Sequence, residues 1–71
     1  MNAIDKQTRR ITLLAGELIS RYNFGWLQRQ LGMKSTQLKR AMFNHEWTHE
    51  QATVINRYHE MLIVDREEVA A

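Results

Sequence analysis

The segment His45-Glu46-Trp47-Thr48-His49 has the His-Glu-x-x-His spacing with which a helix can hold zinc between two imidazoles and aim a carboxylate at a metal-bound water. That chemistry needs both histidines on one helical face and a third ligand close by. Thr48, followed three residues later by Gln51, is a capping-box pattern. A helix is therefore expected to start inside the motif, with the two histidines astride its first residue. Glu67 and Glu68 stand 18 and 19 residues past His49, and an unbroken helix would carry them about 25 Å along its axis. No metal site is expected, incidental zinc binding by the histidines being the alternative. The chain shows no nucleophile–base–acid set, no phosphate-cradling glycine loop and no paired carboxylates in a cleft, so neither an enzyme nor a cofactor is expected.

The cationic side chains are more informative. Residues 18–45 hold Arg21, Arg29, Lys34, Lys39 and Arg40 with no acid, a balance of +5, whereas residues 46–71 hold six carboxylates against Arg57 and Arg66, a balance of −4. Residues 1–17 carry Lys6, Arg9 and Arg10 against Asp5 and Glu17, and the whole chain is +2. A basic block confined to one stretch is the footprint of a polyanion binder, with a solvated helix face as the bland alternative. The aromatic residues Tyr22, Phe24, Trp26, Phe43, Trp47 and Tyr58 could stack on bases. They are scattered over helices and a loop, which favours packing for all but Phe43.

The elements that must position these residues are helical. The 71 residues contain no proline and only three glycines, and they are expected to make one all-α domain over 1–71. The expected architecture is a compact bundle of four to five short helices, with helices at about 2–20, 24–31, 35–43 and 48–64 and a polar tail at 65–71. A chain of this size buries only about 60% of its unfolded surface. There is no cysteine, hence no disulfide and no thiolate metal site, which fits a reducing cytoplasm. No apolar run approaches the ~20 residues of a membrane span, and no signal-peptide pattern is visible. A cytoplasmic protein with no membrane association is expected.

In the first helix Ile4, Ile11, Leu14, Ala15, Leu18 and Tyr22 share a face, leaving Leu13 as a lone apolar residue on the polar side. Gly16 costs about 1 kcal/mol relative to alanine and is expected to let another helix pack closely. Asn23 is placed to cap the second helix, Gly32 to end it in a left-handed conformation, and Met33 to return the chain to the core. Ser35 is expected to cap the third helix. There Leu38, Ala41 and Met42 form an apolar back, Thr36, Arg40 and Phe43 lie opposite, and Gln37 and Lys39 flank them. In the fourth helix Ala52, Val54, Ile55, Tyr58, Met61, Leu62 and Ile63 spread over an arc of about 200°, against the ~100° that a core-facing helix needs. The surplus fits a fifth short element or a second copy, and Val54, Met61, Ile63 and Val64 are the candidate homodimer interface. His59, at the edge of the arc, is expected to be a partly buried structural residue.

Residues from about Asn23 to Leu62 resemble the phage repressor and Cro-like helix-turn-helix DNA-binding domains, with Leu27, Leu31, Gly32, Met33, Leu38 and Ala41–Met42 at the apolar and turn offsets of that family. The chain departs from it at Gln28, where the family has a small residue, and at Phe24, where many members have a phosphate-binding glutamine. The resemblance implies that Ser35, Thr36 and Arg40 face bases. Physical chemistry argues alongside it. The first turn of the third helix offers free amides to phosphate, and Arg40 can fork onto guanine O6 and N7. Thr36 suits a base edge or a thymine methyl. Arg21, Arg29, Lys34 and Lys39 suit phosphate, with Gln37 and Phe43 flanking.

The expected function is a small sequence-specific regulator of transcription that binds double-stranded DNA, a repressor of phage or mobile-element type. It would act as a homodimer that sets two recognition helices about 34 Å apart. The alternative is a small helical protein-binding module, a phage-encoded inhibitor or antitoxin-like partner, whose basic block grips an acidic protein without DNA contact.

Overall fold

A 19-residue amphipathic helix, α1 (Ala3–Arg21), is the spine of the molecule. The structure, a computed structural model, describes residues 3–65, with side chains from residue 7 onward. The expected helix start at residue 2, the Ile4 and Lys6 side chains, and the tail beyond Asp65 with Glu67 and Glu68 lie outside the described residues. Ile11, Ala15 and Leu18 recur at four- and three-residue intervals and are buried, whereas Leu13 is 70% exposed. Helices α2 (Phe24–Leu31), α3 (Ser35–Asn44) and α4 (His49–His59) follow. There is no strand among the described residues, and no helix among them is long and apolar enough to cross a membrane.

α1 packs most extensively along α4 and also meets α2 and α3, while α2 bridges α3 and α4. One core results. Leu18, Leu27, Leu38 and Ile55, one from each helix, are its largest fully buried side chains. Burying each contributes about 1.5–3 kcal/mol before the entropy of ordering the chain is set against it.

α4 does not end as a regular helix. It continues into a π-helical turn over Glu60–Val64, where the Asp65 N–H bonds to the Glu60 carbonyl five residues back. In an α-helix Ile63, eight residues after Ile55, would sit about 80° round the axis from it. The wider turn takes up an extra residue and draws Ile63 back onto the core, where it is 5% exposed. This corrects the placement of Ile63 at a dimer interface and accounts for part of the broad apolar arc. The partner that the surplus called for is, at Ile63, the protein's own core.

Gly16 also differs from expectation. A Cβ built there would lie 4.0 Å from Met42 Cε, an ordinary van der Waals distance. The packing of α3 on α1 does not require glycine at this position.

Candidate nucleic-acid interface

The α2–α3 pair is built by local chemistry that can be followed atom by atom. Asn23 caps α2, its Oδ1 accepting from the Trp26 N–H at 2.6 Å. At the other end Gly32 has φ 64°. The Met33 N–H returns to the Gln28 carbonyl at 3.0 Å and the Gly32 N–H to the Arg29 carbonyl at 3.4 Å, the two bonds of a Schellman cap. Gln28 is half-buried, and its Nε2 lies 3.5 Å from the Met33 carbonyl oxygen. Its side chain thus reaches over the turn, which accommodates the larger residue. Phe24, at the head of α2, packs against the core and offers no hydrogen bond to phosphate.

The entry to α3 is displaced by one residue from expectation. Lys34, with extended backbone, is the N-cap position, and Ser35 is the first helical residue. A lysine has no acceptor, so only half of a capping box can form. The Lys34 N–H donates to Gln37 Oε1 at 2.9 Å. Ser35 is half-buried and does not cap, because it already lies inside the helix, whose first backbone bond runs from the Leu38 N–H to the Lys34 carbonyl at 3.0 Å.

Beyond this start the two faces of α3 separate cleanly. Leu38 and Ala41 are buried and Met42 is half-buried against the core, whereas Thr36, Lys39, Arg40 and Phe43 are exposed, Phe43 to 85%. Arg40 has no partner among the described residues. Arg29 in the last turn of α2, Lys34 before α3, and Arg21 in the last turn of α1 are exposed. Gln37 and Arg40 also form one wall of an open groove, with Thr8, Met33, Trp47 and Gln51 on its other sides.

The histidine motif is taken apart by the fold. His45 closes α3 in a left-handed conformation, φ 58°, the only non-glycine residue with positive φ among those described. Thr48 caps α4, its Oγ1 accepting from the Gln51 N–H at 3.1 Å while Gln51 Oε1 accepts from the Thr48 N–H at 3.0 Å. His49 is the first residue of α4, so the two imidazoles do not share a helical face. His45 Nδ1 is instead 2.9 Å from Thr12 Oγ1, and Trp47 Nε1 donates to the same hydroxyl at 2.9 Å. Thr12 is a structural residue without a sequence signature, since its two partners lie 33 and 35 residues away.

Most aromatic residues pack. Tyr22 stacks on Trp26 with ring centroids 4.5 Å apart, and Trp26 meets Tyr58 edge-on at 5.4 Å. The Tyr58 hydroxyl donates to Gln30 Oε1 at 2.9 Å. His59, its side chain 14% exposed, pairs with Glu17 and ties the end of α4 to α1. Of the four candidate interface residues, Met61 and Val64 are 51% and 38% exposed and Val54 is half-buried, while Ile63 faces inward.

Comparison with family models, with curated proteins and with solved structures gives no match for this chain.

Proposed function

We propose that this protein is a small sequence-specific regulator of transcription, a repressor of phage or mobile-element type, that lays α3 in the major groove of double-stranded DNA. The observation that carries this is the outward stripe of α3, where Thr36, Arg40 and Phe43 are exposed on a helix held from behind by Leu38 and Ala41. A rigid helix with an unpartnered arginine one turn from its start has the shape and the donors to reach base edges. The charge partition supports the same surface, because Arg29, Lys34, Lys39 and Arg40 are all exposed within the acid-free stretch. In this reading Thr36 and Arg40 face bases, Ser35 stands at the helix start, and Arg21, Arg29, Lys34 and Lys39 hold phosphates. A homodimer through Met61 and Val64, with Val54 beside them, would supply the second recognition helix.

Replacing Arg40 by alanine is expected to cost about 1–3 kcal/mol on a selected duplex and to relax preference at one base pair. Gel-shift titrations of wild type and R40A over several salt concentrations measure both, and wild-type affinity should fall steeply with salt. Unchanged affinity and base preference in R40A would remove Arg40 from the reading surface.

A second reading has its own observation. Leu13 and Phe43 are 70% and 85% exposed, and apolar side chains so exposed also suit a protein partner, an inhibitor's or antitoxin's target. Absence of duplex binding, or a flat salt dependence, favours that alternative.

A further inference from the structure

Gln37 sits on the flank of α3 beside Arg40, and the oxygen of its amide is already engaged. A free glutamine offers one acceptor and two donors, the combination that pairs bidentately with adenine N6 and N7. Here the Lys34 N–H occupies one side of the amide at 2.9 Å. A backbone N–H can only donate, so the atom facing it is the oxygen, and the –NH2 group, which no described residue engages, is left to donate. The side chain is exposed, so that donor is accessible.

The rest of the polar side of α3 has the same sign. Lys39 and Arg40 only donate. Phe43 contributes an apolar surface suited to a methyl group. The sequence Ser35–Asn44 contains no carboxylate. Only the hydroxyls of Ser35 and Thr36, and Asn44 at the far end, retain an acceptor.

We infer that α3 reads keto bases, guanine and thymine, on the strand it faces, with Gln37 as a specificity-determining residue locked in the donor state. This rests on the proposal that α3 enters the major groove. Guanine presents two acceptors there, N7 and O6, and thymine presents O4 beside its methyl group. Adenine offers N7 as an acceptor but sets its N6 amino group, a second donor, beside it, and the engaged Gln37 oxygen is poorly placed to take that donor. Cytosine presents only a donor.

The test is selection from random duplexes with the full chain, run in parallel on wild type, Q37A and Q37E, each first checked for its helical circular dichroism. The base pair whose preference relaxes in Q37A is the one that Gln37 faces. Wild type is expected to choose guanine or thymine there, about tenfold over adenine. In Q37E the carboxylate can still accept from the Lys34 N–H, so the cap survives while the outward atom becomes an acceptor. Its preference is expected to move to cytosine, with lower overall affinity from the added negative charge. Adenine selected by wild type at that position, no position relaxed in Q37A, or guanine or thymine retained in Q37E would each overturn the assignment. If wild type enriches no duplex, the DNA-binding proposal itself fails, a result distinct from enrichment of the wrong base.

Discussion

One hydroxyl, that of Thr12, joins α1 to the segment after α3. It reaches the Thr8 carbonyl at 3.1 Å, accepts from Trp47 Nε1–H at 2.9 Å and lies 2.9 Å from His45 Nδ1. His45 Nδ1 is thereby tied to α1. The bond helps to pay for the left-handed backbone of a residue that has a Cβ. Replacing Thr12 by valine keeps the volume and leaves Trp47 Nε1–H and His45 Nδ1 without this partner. It is expected to cost about 1–3 kcal/mol in urea denaturation, while T12S, which keeps the oxygen, should stay close to wild type. Equal losses in the two variants would locate the effect in the methyl group and not in the hydrogen bonds. None of this is legible in the sequence, where Thr12 between Ile11 and Leu13 looks like any polar residue on a helix surface.

At the scale of elements, local signals are reliable where they act through the backbone within four residues. Asn23, Gly32 and Thr48 do what their types predict, because a cap is completed by neighbours that the sequence itself supplies. The cap of α3 falls one residue before Ser35, where the Lys34 carbonyl takes the Leu38 N–H and Gln37 Oε1 takes the Lys34 N–H. Two glycines separate backbone demand from packing demand. A Cβ at Gly32 would meet nothing within 4 Å, yet its φ is 64°, so G32A is expected to destabilise by about 1–2 kcal/mol through strain alone. Gly16 lies in a regular helix, and a Cβ there meets only Met42 Cε at 4.0 Å. G16A is expected to stabilise by about 0.5–1 kcal/mol by removing the helix penalty of glycine. Thermal and urea unfolding of the two variants should therefore shift in opposite directions, and a loss in G16A would show that the α1–α3 contact is tighter than it looks.

For the whole molecule, size sets the terms. The described chain measures 35 × 28 × 18 Å, and under the proposed function one such module would cover one half-site of a duplex. A second copy about 34 Å away along the groove needs an interface that leaves α3 free. Met61 and Val64, exposed at the end of α4, meet that need, and Ile63 cannot because it completes the core. The double variant M61E/V64E is expected to stay folded and become monomeric in sedimentation, with affinity for a two-half-site duplex falling at least tenfold. A dimer that persists in it would move the interface elsewhere, with the exposed Leu13 as the next candidate.

What the sequence determined by itself is the set of helices and the side each one turns inward. Helix periodicity and end caps are short-range, and the residues that set them are neighbours. It also determined the division of charge, since an acid-free stretch keeps its sign in any fold, and the exposed cations Lys34, Lys39 and Arg40 lie at the start of α3 or within it. Tertiary structure alone decided three things. It widened the last turn of α4 so that Ile63 meets the core, it set His45 and Trp47 on Thr12, and it left Gly16 room for a side chain. Each depends on where two distant segments come to lie, and packing over the whole core fixes that relation where no local pattern does. The same division applies to α3. Its outward residues could be named from a helical wheel, but that the Gln37 oxygen takes the Lys34 N–H depended on where the chain entered the helix.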